Sequence, residues 1–283
     1  AKWYQRFIEE YKLKEIPYND LKKKKRLGRG GFGTVYLAKS SSLGCIAIKE
    51  VESGTDEKTQ KLFINELKQL SRSNHERIIK FYGISFKKIP YLVMEYADNG
   101  TLREYLRKNK LEWPEKIQLA RQIAEGMSYL HDIDITHRDL HTANILIHKK
   151  EIKISDFGFS KNLNTATVTN SKLCGIFPFI DPCKLNDLKY RYDKKSDVYS
   201  IGVLMWEISS NGTVPFDNQG YDPSLPLKII QGSREKPILG TPIQYIDLYS
   251  KCWDHEPNKR PSMSEIFQQL NFLKLDPKYD GTN

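Results

Sequence analysis

Two polar clusters joined by a pair of short apolar runs constrain this chain more than any other feature. The first reads His137-Arg138-Asp139-Leu140-His141-Thr142-Ala143-Asn144, and the second Asp156-Phe157-Gly158. Between them lie Ile145-Leu146-Ile147 and Ile152-Lys153-Ile154. Such runs predict a hairpin, and a hairpin brings the residues at its open ends together. Asn144 and Asp156 then meet, offering an amide and a carboxylate oxygen of the kind Mg2+ prefers. Asp139 can accept the proton of a hydroxyl and orient its oxygen for in-line attack. Any one of these acidic residues alone would be an ordinary surface or capping residue. Their order and spacing together argue for chemistry.

Upstream, Gly28-Arg29-Gly30-Gly31-Phe32-Gly33-Thr34-Val35 fits G-x-G-x-x-G-x-V. Glycines let a turn approach phosphates through backbone N–H groups. The pattern also opens dinucleotide-binding folds, where it sits between a strand and a helix. Here strand-like sequence flanks it on both sides, with Val35-Tyr36-Leu37 directly after it and a second β-rich run at 45–48 beyond Gly44. No G-x-x-x-x-G-K-[ST] occurs, which excludes a P-loop nucleotidase. Ala47-Ile48-Lys49 ends the β run on a lysine, and Glu66 lies in the next segment, where Leu62, Phe63, Leu67 and Leu70 recur at helical spacing. A lysine or glutamate alone is usually solvated, but the two on adjacent elements can pair and hold the ammonium toward two phosphates.

Strand-like sequence dominates residues 24–96, with further candidates at 79–85 and 91–95. Helical patterns follow Gly100, near 101–108, 114–133, 196–211, 243–252 and 262–272. Residues 1–20 also read as helical, breaking at Pro17 and Asn19. The fold class expected is α+β, with a small antiparallel β-rich lobe bearing one main helix and a larger α-helical lobe. The organisation expected is a partly helical extension at 1–23, lobes at 24–96 and 97–275, and a tail at 276–283.

Composition adds exclusions. Hydrophobic residues are 39% and charged residues 28% of the 283, enough apolar sequence for a folded core. The net charge of +10 comes partly from the run 22–26 and from Lys149, Lys150 and Lys153, which read as solvated faces. Arginine-rich or aromatic-interleaved stretches are missing, so no nucleic-acid partner is expected. Cys45, Cys174, Cys183 and Cys252 form no C-x-x-C pair and no zinc spacing, which suits a reducing compartment. The longest apolar stretch, 201–206, is too short to span a bilayer, and residues 1–20 lack the apolar core of a signal peptide. A soluble cytoplasmic domain without a membrane span is expected.

On these motifs, residues from about 24 to 275 resemble a eukaryotic protein kinase domain. Asn74-His75-Glu76-Arg77-Ile78-Ile79 is similar to the family's link after its small-lobe helix. Ser196-Asp197-Val198-Tyr199-Ser200-Ile201-Gly202 is similar to the buried helix whose aspartate supports the catalytic loop. Cys252-Trp253 and Lys259-Arg260-Pro261 resemble the closing signature of the large lobe. The resemblance implies a two-lobed kinase fold, ATP with Mg2+ (or Mn2+) as cofactors, and protein substrates. By it, Asp139 is the base, Lys49 and Glu66 the phosphate-aligning pair, and Asn144 and Asp156 the metal ligands. The nucleotide would lie against Gly28, Gly30 and Gly33, with Leu27, Val35, Ala47 and Leu146 around adenine. Met94 would be the gatekeeper, Glu95 and Ala97 would offer hinge backbone groups, and Thr101 would touch the ribose. The subgroup resembled is tyrosine-kinase-like, and His-Arg-Asp-Leu-His with a later Phe-Ile-Asp-Pro is similar to an expanded set of fungal kinases.

The departures bear on substrate class. Where the family has Ala-Pro-Glu, this chain has Asp181-Pro182-Cys183, so the glutamate that pairs with the arginine at Arg260 is missing, and Asp181 is its candidate substitute. Serine/threonine kinases carry lysine where this chain has His141 and threonine where it has Ile176. Tyrosine kinases carry arginine where it has Thr142. Serine/threonine specificity is expected, with tyrosine or dual specificity as the alternative. A nucleotide-binding scaffold without turnover is a further class, against which stand the intact Lys49, Glu66, Asp139, Asn144 and Asp156. The segment after Asp156 holds Thr165, Thr167, Thr169 and Ser171 and no acidic residue before Asp181, so a phosphate there could pair with Arg138.

Overall fold

A five-stranded antiparallel sheet organises the first half of the chain. Its strands are β1 (Lys22–Gly30), β2 (Gly33–Ser40), β3 (Gly44–Val51), β4 (Phe81–Phe86) and β5 (Pro90–Glu95), in the order β1-β2-β3-β5-β4. The computed structural model describes residues 8–30, 33–51, 57–156, 176–217 and 222–275. The chain divides into two compact units, Ala1–Asp98 and Asn99–Asn283.

The register sorts the sheet into two faces, because side chains alternate with a period of two. Val35 pairs with Lys49, Leu37 with Ala47, Ala47 with Met94 and Lys49 with Leu92, so these residues share one face. Ala38, Ile46, Ile48, Tyr91 and Val93 take the opposite face and form a core with Ile16 and Leu21. Helix α1 (Glu57–Arg72) belongs to the same unit and buries Phe63, Leu67 and Leu70. The lysine run is exposed, but it forms the start of β1, and Lys23 is engaged there. Its Nζ lies 2.5 Å from Glu50 and above the rings of Tyr36 and Tyr91, at 4.1 and 4.9 Å.

The N-terminal segment departs from the helix expected over 1–20. Among the described residues only 8–10 of it are α-helical. Residues 14–16 instead run parallel to β4, with Ile16 N donating to Ile84 O at 2.8 Å and Ile84 N to Lys14 O at 2.9 Å. Burying Ile16 in the sheet core and pairing its backbone outweigh a helical pattern too short to stand alone. Gly83 permits the approach: a Cβ there would lie 2.1 Å from Lys14 O, at a φ of +148°.

Helices dominate the second unit, as the α+β expectation requires. They are α2 (Leu102–Lys108), α3 (Trp113–Asp132), α4 (Pro182–Asn186), α5 (Lys194–Ser209), α6 (Leu225–Ile230), α7 (Ile243–Cys252) and α8 (Met263–Asn271). A hairpin of β6 (Ile145–His148) and β7 (Glu151–Ile154) lies between α3 and α4. Helix α5 is buried from Ser196 through Ser209, and α7 packs against it, as α8 packs against α3. Capping boxes start α2 (Thr101 with Glu104) and α8 (Ser262 with Glu265), satisfying first-turn N–H groups that the helix leaves open. Among the described residues no helix is long and apolar enough to cross a membrane.

Candidate active site

The segment 137–144 is built on one buried carboxylate. Asp197, near the start of α5, accepts His137 N at 2.8 Å and contacts His131 Nε2 at 2.9 Å through Oδ2, while Oδ1 accepts Arg138 N at 2.9 Å. These bonds hold Arg138 at a φ of +68°, a left-handed conformation that side-chain-bearing residues adopt infrequently. His137 extends the framework. Its Nε2 donates to Ser155 O at 3.0 Å, and its Nδ1 accepts Asp139 N at 3.3 Å. Burial pushes the His137 pKa below its ordinary value, so the ring is neutral, which this donor–acceptor pair requires.

The hairpin sets Asn144 beside Ser155, the residue directly before Asp156. Ile145 pairs with Ile154, and Ser155 donates from N and Oγ to Asn144 O at 2.9 and 3.1 Å. Asn144 Nδ2 donates to Asp139 O at 2.7 Å and lies 3.2 Å from Asp139 Oδ2. The amide nitrogen thus faces Asp139, and Oδ1 is the atom left to face a cation. Asp156, next along, has a φ of +57°. Among the described residues no group of three or more His, Cys, Asp or Glu assembles into a metal site. An oxygen pair from Asn144 and Asp156, completed by phosphate and water, matches the way Mg2+ is usually held.

In the first unit, Lys49 Nζ and Glu66 Oε1 are 2.9 Å apart, with side chains only 6% and 2% exposed. The expected adenine neighbours Val35 and Ala47 and the gatekeeper Met94 lie on the same sheet face as Lys49. Leu27 falls at a register shift between Arg26 and Gly28 and is 43% exposed. A Cβ on Gly28 would meet nothing within 4 Å, whereas one on Gly33 would lie 1.8 Å from Glu50 O. Gly33 is therefore demanded by β3 itself, and Gly30 pairs with it between β1 and β2. Glu95 N donates to Lys80 O at 2.8 Å, and Ala97 is buried. In the second unit, Thr101 and Leu146 meet in an isolated antiparallel bridge. Thr101 Oγ1 accepts Glu104 N as a helix cap, which leaves its hydroxyl proton to donate.

Two departures from the kinase pattern acquire physical meaning. Asp181 and Arg260 form a fully buried bidentate pair, at 2.6 and 3.2 Å, so an aspartate does serve in place of the absent glutamate. The remaining guanidinium N–H groups donate to the carbonyls of Asp254, Lys195 and His255, at 2.8, 2.9 and 3.3 Å. Thr142 is buried and donates to Glu207 Oε2 at 3.2 Å, and Arg103 grips the same carboxylate at 2.5 and 3.0 Å. Burial raises the Glu207 pKa, and Arg103 and Thr142 oppose that shift. Glu207 and Arg103 were missed by sequence reasoning; a lone glutamate inside the apolar pattern of α5 was the available signal. Gly31, Phe32, Phe157, Gly158 and the hydroxyl cluster at 165–171 lie outside the described residues.

Comparison with known proteins gives one family. The model described as protein tyrosine and serine/threonine kinase matches residues 21–270. Tyrosine protein-kinase src-1 of Caenorhabditis elegans is 30% identical over 276 residues, covering 94% of this chain and 51% of that protein. Human cytoplasmic tyrosine-protein kinase BMX is 32% identical over 271 residues, covering 94% and 39%. R818 of Acanthamoeba polyphaga mimivirus, provisionally named a serine/threonine-protein kinase/receptor, is 33% identical over 260 residues, covering 90% and 15%. The chain spans about half or less of the length of these relatives.

Proposed function

The chain belongs to the protein tyrosine and serine/threonine kinase family, and from that premise we propose that it transfers the γ-phosphate of ATP to hydroxyls of protein substrates. The observation that carries the reading is the hydrogen-bonded set joining Asp139, Asn144 and Ser155, directly before Asp156. A kinase needs a base and two metal ligands on one rigid framework, because phosphoryl transfer is mostly positioning and charge stabilisation. The kinase domain is proposed to run from 24 to 275, with lobes at 24–96 and 97–275.

In the proposed mechanism, Lys49, held by Glu66, aligns the α- and β-phosphates. The backbone around Gly28, Gly30 and Gly33 covers the phosphates, and Val35, Ala47 and Leu146 enclose adenine with Leu27. Met94 limits the depth of the purine pocket, Glu95 and Ala97 offer backbone groups to the purine, and Thr101 donates to the ribose. Asn144 and Asp156 would hold Mg2+, which supplies charge neutralisation on the β- and γ-phosphates. Asp139 accepts the proton of the attacking hydroxyl as its oxygen bonds to phosphorus and the bond to ADP breaks.

Serine and threonine are the proposed acceptors. The feature favouring them is Thr142, which sits buried on Glu207 where tyrosine kinases present an arginine. A tyrosine reading is supported by the names of src-1 and BMX, both tyrosine-protein kinases. The name of BMX also describes that protein as cytoplasmic, and the cytoplasm is proposed here, in keeping with the cysteine spacing. The test is a peptide array incubated with the purified domain and Mg·ATP, scored separately for Ser, Thr and Tyr. Label on Ser and Thr peptides supports the proposal, label confined to Tyr reverses the specificity, and no label above an ATP-free control removes the enzymatic reading.

A further inference from the structure

His141 is 8% exposed, in the same loop as Asp139. Its Nδ1 accepts the backbone N–H of Ala143 at 3.2 Å. A backbone N–H only donates, so Nδ1 carries no proton and the neutral ring carries its proton on Nε2. That Nε2 lies 3.3 Å from Asn144 Nδ2 and 3.5 Å from Asp139 Oδ1. Asn144 Nδ2 is a donor with two N–H groups, and Asp139 O and Oδ2 take both, so it neither receives that proton nor donates to Nε2. Turning the amide over is blocked, because it would set the amide oxygen against Asp139 O and Oδ2, now 2.7 and 3.2 Å from Nδ2. Among the described residues, Asp139 Oδ1 is the acceptor left for His141. The Phe179 ring stands edge-on to the imidazole, with centroids 6.3 Å apart.

We propose that His141 is a positioning residue for Asp139, donating from Nε2 to Oδ1 while Asn144 addresses Oδ2. Together they fix the carboxylate torsion and so the lone pair offered to the substrate hydroxyl. The inference rests on Asp139 acting as the base. A separation of 3.5 Å exceeds that of a formed hydrogen bond, and such contacts tighten when substrate binds. A carboxylate oxygen has a second lone pair, so the donation leaves Asp139 able to take the hydroxyl proton. His141 keeps its own proton throughout. A lysine here would bring three donors and a permanent charge; the tethered imidazole brings one directed donor.

The test compares His141→Leu and His141→Gln, each in the wild-type and the Asp139→Asn background. It reads kcat, KM for ATP and the melting temperature. Leu removes the donor, whereas the amide of Gln places an N–H near the position of Nε2. His141→Leu is expected to lower kcat about tenfold to a hundredfold with KM for ATP unchanged, as loss of a bond to an ionised group predicts. His141→Gln is expected to recover most of that loss. In Asp139→Asn the Leu substitution is expected to change the residual rate less than about twofold, because the group it acts through is gone. If the Leu variant melts below the assay temperature, His141→Asn replaces it, since Asn keeps an acceptor for Ala143 but cannot reach Oδ1. Equal losses in both backgrounds, or no loss in either, overturn the inference. Wild-type kcat in Asp139→Asn alone overturns the reading of Asp139 and this inference with it. A deep loss there, with none in His141→Leu, overturns this inference alone.

Discussion

Single residues set the terms on which this molecule holds together. Arg260 uses all its N–H groups in the interior, and Asp181 is its counter-charge. Asp181→Ala leaves a buried guanidinium without a carboxylate, a change that typically costs about 3–5 kcal/mol. Urea unfolding should show that loss, and a change under about 1 kcal/mol would contradict the role given to the pair. His137 supplies a pH prediction. Burial holds its folded pKa below the ordinary 6.5, so the unfolded chain binds a proton that the folded chain refuses. The stability it contributes is complete above about pH 6.5 and falls as pH drops below it, by at most about 1.4 kcal/mol per pH unit for one proton. His137→Gln, which retains a donor for Ser155, should flatten the pH dependence of the urea midpoint between pH 7 and 5.5; equal slopes in both proteins would refute this. Residues of the site were legible where their chemistry forces a spacing, as with Asp139, Asn144 and Asp156. Glu207 was not, because a buried carboxylate is defined by the partners that reach it, and Arg103 lies far away in sequence.

At the scale of elements, the alternation that places Val35, Ala47 and Lys49 on one face was readable in advance, since a period of two leaves little choice. The long helices were readable as well, and α7 coincides with the expected 243–252. Helices α4 and α6 were not, being five and six residues long and too short to display a period. The N-terminal strap was misread because pairing to a distant strand leaves no local signature. Gly83 marks it only once the structure shows Lys14 O against it. Gly83→Ala should therefore release residues 14–16 from β4. Hydrogen exchange at the amides of Ile16 and Ile84 is the direct check, with protection lost at both and largely kept across β2 and β3. Undiminished protection at Ile16 would show that the glycine is not what admits the strap.

For the whole molecule, the two compact units divide the proposed chemistry. The Lys49–Glu66 pair and the sheet face proposed to meet the nucleotide belong to the first, and Asp139, Asn144 and Asp156 belong to the second. The family and its α+β layout could be read from the motifs, whereas the acceptor hydroxyl could not, because His141 and Thr142 depart from both common patterns. The central claim is that Asp139 acts on the hydroxyl of the substrate and not on the nucleotide. The most direct measurement is kcat on a phosphorylated peptide from the array, together with the Kd for Mg·ATP, in Asp139→Asn and wild type. A general base supplies about 10²–10⁴-fold, so kcat should fall by that factor while Kd stays within about threefold. An unchanged kcat with a greatly raised Kd would place Asp139 on the nucleotide and contradict the account.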